Sequence, residues 1–445
     1  MRSSKSPRMV AVEVLSRVFK TRAYAEILLD NEFRRVSLSG KDRSLATEIV
    51  YGTLRWHRWL EWILKDKYSG EWSDCPSVVR QALETGLYQI LFLDRIPDYA
   101  SVDEAVKITL YKKGRKWANR VNGILREIIR HRDSIPPILL DEDPVAGISI
   151  RYSHPEWIVE RWIRRFGVDR TIAICRANNQ TPGLTVRINR LRLKPEEGIE
   201  RLKSIGLSPR TSEILNEFVT IENGQVLLNS DYFKKGLFSI QDVSAGLVSH
   251  LLDPRPGEKI LDLAAAPGGK STHIAELCGD GSFIVAVDSS FTRIKRLEQN
   301  RIRLCMGSIY PLCGNIRELS LPTFDKVLLD VPCSGIGVIR KRPEVRYHRK
   351  PEDVQILAST QRKMIESAAR FVKDGGIMVY STCTVLLEEN HEIIDSFLKS
   401  NPNFVVEDGR EFVDPGVVSE RGFVETWPDI HGIDGSFAVR LKKRE

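Results

Sequence analysis

The segment EKILDLAAAPGGKSTHIAEL, residues 258–277, constrains this chain more than any other stretch. A short apolar run meets a Pro-Gly-Gly turn, and a helical pattern begins directly after it. FIVAVDSS, residues 283–290, then supplies a second strand that ends at Asp288. Strand, helix and strand in that order predict a βαβ unit in a parallel sheet. Gly268 and Gly269 let the backbone come close to a ligand, and the helix start offers N–H groups to an anionic or polar group. Asp288 stands 20 residues beyond Gly268, where an acidic side chain can accept hydrogen bonds from a ribose diol. The glycines do not follow GxGxxG and P-loop spacing is absent, so NAD and ATP are both disfavoured. Taken alone, the loop is also explained by a purely structural turn.

Two further strand ends carry chemistry. FDKVLLDVPCSG places Asp330 at the end of an apolar run, followed at once by Pro332 and Cys333. DGGIMVYSTCTVLLEEN repeats the pattern with Cys383. In a parallel sheet both loops lie at the carboxyl edge, where ligands bind. The other cysteines, at 75, 175, 278, 305 and 313, read as ordinary thiols. A total of seven is odd and contains no CxxC pair, so a disulfide framework is excluded and a reducing, cytoplasmic setting is expected. The eight histidines are scattered without HExxH, which predicts no metal. No apolar run reaches transmembrane length, and none suited to a signal peptide follows the basic start MRSSKSPR.

At 445 residues the chain is long enough for two or three domains, and 42% hydrophobic with 28% charged residues excludes wholesale disorder. Its net charge of +8 is uneven: residues 1–140 hold 25 basic and 17 acidic side chains, and the remainder holds 42 of each. The front third has helical periodicity throughout, in MVAVEVLSRVFK, AYAEILLDNEF, SLATEIVYGTLRWHRWLEWIL, SVVRQALETGLYQILFL, SVDEAVKITLYKK and WANRVNGILREIIRHR, which predicts an all-α bundle. Trp56, Trp59 and Trp62 follow the apolar phase and read as core rather than a base-stacking platform. Between residues 111 and 132, Lys112, Lys113, Arg115, Lys116, Arg120, Arg126, Arg130 and Arg132 face one acid, Glu127. A solvated helix face usually interleaves signs, so this clustering favours phosphate contacts.

Residues 133–150, with Pro136, Pro137, Pro144 and the run Asp141, Glu142, Asp143, read as a linker or a domain edge. PEWIVERWIRRFG predicts a helix from 155 to 167. Short strand-like runs around EEGIERLKSIG then predict a small α/β module. There Arg187, Arg190 and Arg192 either bind RNA or pad the next domain.

The helical pattern with DRSLATEIVYGTLR and RVNGILR resembles the NusB-like RNA-binding domain. AAAPGGK, DVPCSG and YSTCT together resemble the S-adenosylmethionine-dependent RNA cytosine-5 methyltransferases. The layout is similar to the bacterial 16S rRNA methyltransferases of the RsmB/Sun group. The resemblance implies S-adenosyl-L-methionine held by Ala264, Ala265, Ala266, Pro267, Gly268, Gly269 and Lys270, with Asp288 on the ribose. It makes Cys383 the nucleophile that adds to carbon 6 of cytosine, Cys333 the residue of proton removal and product release, and Asp330 a contact to the base and the cofactor. The family's adenine-contacting Asp corresponds to Asn315 here, a departure that keeps an acceptor oxygen but loses charge assistance.

IRKRPEVRYHRK, directly after the Cys333 loop, is dense in cations and reads as holding the RNA backbone near the target base. The expected RNA contacts are therefore Lys112, Lys113, Arg115, Lys116 and Arg120 at the front, and Arg340, Lys341, Arg342 and Arg346 here. His431 and Asp434, in the HGIDG turn, read as structural. The expected architecture is an all-α NusB-like domain over 1–140, a helical linker with a small α/β module over 141–235, and a Rossmann-like methyltransferase domain over 236–445. The expected partner is 16S rRNA in a protein-free or early assembly form, with no membrane and no obligate protein partner. A tRNA substrate, or a non-catalytic ribosome-assembly or antitermination adaptor, would share many of these features; the intact cysteines and cofactor loop argue against the adaptor.

Overall fold

The computed structural model describes residues 5–135, 138 and 142–445, so Pro136, Pro137 and Asp141 of the expected linker lie outside the described residues. The chain forms two compact units, Met1–Gln180 with Ile339–Arg349, and Thr181–Val338 with Lys350–Glu445. Among the described residues no helix is long and apolar enough to cross a membrane.

The first unit is helical: α1 (Pro7–Thr21), α2 (Ala25–Arg35), α3 (Gly40–Lys67), α4 (Ser77–Phe92), α5 (Asp98–Lys113), α6 (Arg115–Arg130), α7 (Pro144–Arg151) and α8 (Glu156–Asn178). Local chemistry sets the ends. Ser6 and Ser39 accept from Met9 N and Asp42 N as N-caps, and Pro7 fills a first-turn position. Gly114, at φ 83°, breaks the chain between α5 and α6. Pro144 opens α7 behind an Asp143 cap, so this end of the expected linker is already helix. Likewise α8 runs on past Gly167, which only kinks it. Trp56 stacks on Phe92 at 5.1 Å and Trp59 meets the same ring at 5.8 Å, both against the α3–α6 core.

The segment Ile339–Arg349 packs with these helices, and it corrects one expected RNA contact. Arg346 is 0% exposed. Its guanidinium donates to Ser153 O at 2.9 Å, Asn179 Oδ1 at 3.0 Å, and Arg55 O and Tyr152 O at 3.4 Å. A cation spent on four internal acceptors away from solvent has no access to phosphate.

In the second unit, β1 (Leu184–Ile188), β2 (Arg210–Thr211), β3 (Phe218–Ile221) and β4 (Phe238–Ile240) form an antiparallel sheet in the order β2-β3-β1-β4. A larger sheet comprises β5 (Lys259–Leu263), β6 (Phe283–Asp288), β7 (Ile309–Cys313), β8 (Phe324–Asp330), β9 (Val372–Thr382), β10 (Phe404–Glu407), β11 (Val424–Thr426) and β12 (Ser436–Lys443). Its order is β10-β12-β9-β8-β5-β6-β7, with β11 on β12. The strands β7 to β5, β8 and β9 run parallel, whereas β12 is antiparallel between β9 and β10. That inserted strand separates the sheet from the dinucleotide-binding order, while the switch between β5 and β8 is kept. Both faces are buried: Ile260, Leu328 and Val379 enter one core, and Leu261, Leu329 and Tyr380 the other.

Candidate active site

The carboxyl ends of β5, β6, β8 and β9 bring the expected chemistry together. Asp262 and Leu263 end β5, and the chain turns through Ala264 (φ 63°) and Gly268 (φ 98°) into the helix Gly269–Leu277. Asp288 caps β6. It is 2% exposed, and it accepts from Ala266 N at 3.3 Å and Ser290 N at 2.9 Å. Arg293 completes this corner by donating to Ala266 O at 2.6 Å and pairing with Asp288 at 3.2 Å. The loop is thus fixed to the second strand end before any ligand arrives.

Lys270 reaches from the loop to β8, its Nζ 2.6 Å from Asp330 Oδ2. Burial pulls the Lys270 pKa down, but the carboxylates of Asp330 and Asp262 with the Cys383 sulfur outweigh it and leave it raised. The other oxygen of Asp330 accepts from Ser381 Oγ at 2.8 Å, tying β8 to β9. Beneath this pair lies Asp262, 0% exposed, with Ser271 Oγ 2.5 Å from its Oδ2. Burial pushes its carboxyl up to about 7, against the pull of Ser271 and Lys270.

Cys333 and Cys383 face each other with their Sγ atoms 2.9 Å apart, both free thiols. That separation is a hydrogen bond, well beyond the length of a disulfide. The Cys333 sulfur also accepts from Cys383 N at 3.3 Å. Their mutual hydrogen bond lowers the Cys383 thiol pKa and raises that of Cys333. Cys383 is therefore the first of the pair to become thiolate. The turn at the carboxyl end of the chain seals the far side of both loops: Gly435 N donates to Gly337 O and Gly337 N to Cys383 O. A Cβ on Gly337 would lie 1.9 Å from Gly435 O, so no side chain fits there.

Asn315 follows β7, where its Oδ1 accepts from Arg317 N at 3.2 Å and its Nδ2 donates to Glu318 at 2.9 Å. His431 caps the turn structurally, accepting from Trp427 N at 2.9 Å. Of the front-end cations, Lys112 pairs with Glu13 at 2.7 Å, and Arg120 binds Ser69 and lies 4.4 Å over the Tyr68 ring. Lys113, Arg115 and Lys116 are exposed around Gly114. Arg342 lies 3.8 Å from Glu26 and over Tyr24.

Several site residues escape sequence reasoning. Asp262, Arg293, Ser381, Gln361 and Glu389 act through partners distant in sequence. Arg187 belongs with them. It is 0% exposed, makes a two-pronged pair with Glu276 at 2.9 and 2.7 Å, and donates to Gly269 O at 3.0 Å. Arg187 thus joins the small module to the helix Gly269–Leu277 and is not an RNA contact. Glu217, His250 and His273 also converge, with ligand-type atoms within 4.8 Å. His250 Nε2 lies 2.7 Å from Glu217 Oε1, which makes the group a hydrogen-bonded cluster.

Comparison with known proteins identifies this arrangement. Residues 249–442 match the family 16S rRNA methyltransferase RsmB/F, residues 5–130 the NusB family, and residues 154–227 the ferredoxin-like domain of RsmF/B-like methyltransferases. The chain is 34% identical over 446 residues to the probable ribosomal RNA small subunit methyltransferase B of Bacillus subtilis, covering 99% of each. The chain belongs to the RsmB/F family. The ribosomal RNA small subunit methyltransferase B of Erwinia tasmaniensis is 32% identical over 92% of each chain. The crystal structure of PH0851 superposes over 100% of both chains with a TM-score of 0.83 and 26% identity. A methyltransferase homolog from Pyrococcus horikoshii matches 68% of this chain and 99% of its own, with a TM-score of 0.60 and 27% identity. Membership makes the chain an S-adenosylmethionine-dependent methyltransferase with an appended NusB-like domain, as the sequence motifs imply.

Proposed function

We propose that the protein methylates carbon 5 of a cytidine in 16S rRNA through a covalent bond between Cys383 and carbon 6. The juxtaposition of Cys333 and Cys383 beside Asp330 carries this reading. The donor set fits the cofactor. The Ala264–Lys270 loop is open-backboned at Gly268 and Gly269, and Asp288 Oδ1, which among the described residues accepts only from Ser290 N, retains acceptor capacity for a ribose hydroxyl. Asn315 Oδ1 keeps one lone pair for an adenine amino group. S-adenosyl-L-methionine, when bound, supplies the methyl group that carbon 5 receives.

The chain's own residues do the rest. Carbon 5 of cytosine is a weak nucleophile. Addition of the Cys383 thiolate to carbon 6 breaks the ring's aromaticity and makes carbon 5 enamine-like. The Cys333 thiol stabilises that thiolate beforehand, and Asp330 holds the polar edge of the base. Once Cys383 is bonded to carbon, the hydrogen bond that raised the Cys333 pKa is gone. Cys333 then yields its proton to solvent, takes the carbon 5 proton as thiolate, and lets Cys383 leave. An unpaired target base costs least to present to such a site. Exposed Lys113, Arg115 and Lys116, with Lys112, Arg120, Arg340, Lys341 and Arg342 near their own internal partners, supply the proposed phosphate contacts.

The test incubates the protein with methyl-labelled S-adenosylmethionine and either protein-free 16S rRNA or bulk tRNA, and maps 5-methylcytosine. One modified cytidine in 16S rRNA is expected. Label in tRNA alone would reassign the substrate, and no label in either from folded, cofactor-binding protein would remove the enzymatic reading.

A further inference from the structure

We propose that Glu389 is a positioning residue that sets Cys333 against Cys383 by holding the two peptide groups on either side of Cys333. The proposal rests on the cysteine roles above and extends them. Glu389 lies in the short turn Leu387–Glu389, beyond the strand that carries Cys383, and is 0% exposed. Its Oε1 accepts from Ser334 N at 2.8 Å and from Gln361 Nε2 at 2.9 Å. The same Gln361 Nε2 donates to Pro332 O at 2.9 Å. The peptide before Cys333 and the peptide after it are therefore both tied to one carboxylate oxygen, one through Gln361 and one directly.

The clamp is anchored to the other cysteine's strand. Tyr380 OH, on β9, donates to Glu389 O at 2.7 Å. The adjacent Asn390 accepts from Thr382 Oγ1 at 2.6 Å and donates to Thr384 O at 3.0 Å, embracing Cys383 from both sides. Ser334 Oγ and Thr384 Oγ1, the neighbours that follow each cysteine, lie 2.8 Å apart. Glu389 and Asn390 thus connect two loops whose cysteines are 50 residues apart in the chain. Among the described residues no lysine or arginine forms an ion pair with Glu389, so a buried carboxylate is held by neutral donors alone. Burial raises the Glu389 pKa against the pull of Ser334 and Gln361, and its Oε2 has no hydrogen-bond partner among the described residues, so the two loops are held through Oε1.

Glu389 touches no reacting atom, so its loss should change where Cys333 sits rather than whether cofactor binds. Full-length wild type, Glu389→Ala, Glu389→Gln and Cys333→Ala are compared in two assays. In the first, without RNA, iodoacetamide labelling of each cysteine is followed by peptide mass spectrometry. In the second, the covalent protein–RNA adduct is quantified after incubation with 16S rRNA and S-adenosylmethionine.

Glu389→Ala should move Cys333 off the hydrogen bond that raises its pKa, lifting its labelling rate about tenfold for each pKa unit recovered. It should also accumulate adduct as Cys333→Ala does, because a displacement near 1 Å costs up to about a hundredfold in the release step. Glu389→Gln keeps an acceptor oxygen and should stay within about fivefold of wild type, the loss of one modest hydrogen-bond increment. Gln361→Leu, which removes the Pro332 tie and one of the two donors to Glu389 Oε1 but leaves the Ser334 tie, should move both readouts in the same direction and guards against a misfolded Glu389→Ala. Wild-type labelling and release in Glu389→Ala would overturn the proposal, as would Glu389→Gln failing as badly as Glu389→Ala. If Cys333→Ala itself accumulates no adduct, the assignment of the cysteines falls, and the labelling rates alone still decide the clamp.

Discussion

Cys333 Sγ and Cys383 Sγ share a hydrogen bond across 2.9 Å, and this contact is the largest cause driving the two thiols apart in acidity, with Cys383 lowered and Cys333 raised. The Cys383 value lies below the ordinary thiol value because the Cys333 S–H stabilises its thiolate. Alkylation of Cys383 should therefore rise with pH through a midpoint below the ordinary thiol value of about 8.5. Cys333→Ala removes the donor, so the midpoint should move to higher pH. Labelling of Cys383 from pH 6 to 10 measures both. An unchanged midpoint in the variant would remove the hydrogen bond as the cause.

Burial holds Asp262 protonated up to about pH 7, while in the unfolded chain it ionises near the usual carboxylate value. With the folded pKa raised, the folded state binds the extra proton between those two values. This carboxyl's contribution to stability should thus fall as pH rises through that window, by at most roughly 1.4 kcal/mol per pH unit, and flatten above about pH 7. Asp262→Asn cannot ionise and should remove that part of the slope. Urea midpoints from pH 4.5 to 8 for the two proteins give the comparison, and parallel curves would contradict it.

The pair of Arg187 and Glu276 has no solvent exposure on either side chain. Arg187→Met leaves a buried carboxylate without its cation, at a cost of about 3–5 kcal/mol. The double variant Arg187→Met with Glu276→Met should recover most of that loss, since a well-packed apolar pair replaces an ionic one. Cofactor affinity should remain lowered in the double variant, because Gly269 O keeps no donor from position 187. Denaturation midpoints and calorimetric titration with S-adenosylmethionine test the two halves separately.

Neutralising Lys113, Arg115 and Lys116 together should weaken rRNA binding and flatten its salt dependence. The loss of three phosphate contacts lowers the log–log slope by about 2 if each counts roughly 0.7, as for single strands. Affinities at a series of KCl concentrations give the slope, and an unchanged value would return these lysines and arginine to an ordinary solvated surface.

The turn at 264–270 and both cysteine loops are legible as strand-end loops because each is a contiguous run whose residues meet one another locally. The strand, Pro-Gly-Gly turn and helix at 258–277 form as the pattern predicts, and so does the front-end helical bundle. What escaped depends on distant partners. Arg346 sits in a cation-dense run that reads as a phosphate surface, yet its acceptors come from residues 55, 152, 153 and 179. Arg187 left two readings open because a strand residue's outward or inward environment depends on what packs against it. Here that is Glu276, 89 residues away. Glu389 is one of two adjacent glutamates, and nothing in their spacing tells the buried one from its neighbour. Asp262 is hidden by its apolar strand, where only the fold surrounds it with Lys270, Ser271 and Asp330.

The assignment of Cys383 as nucleophile is tested most directly by finding which sulfur holds the RNA. Cys333→Ala is incubated with 16S rRNA and S-adenosylmethionine, the RNA is digested, and the nucleotide-bearing peptide is sequenced by mass spectrometry. The account predicts a methylated cytidine attached to Cys383, and no adduct from Cys383→Ala. A nucleotide attached to Cys333 in Cys383→Ala, with none on Cys383 in Cys333→Ala, would reverse the two roles and contradict it.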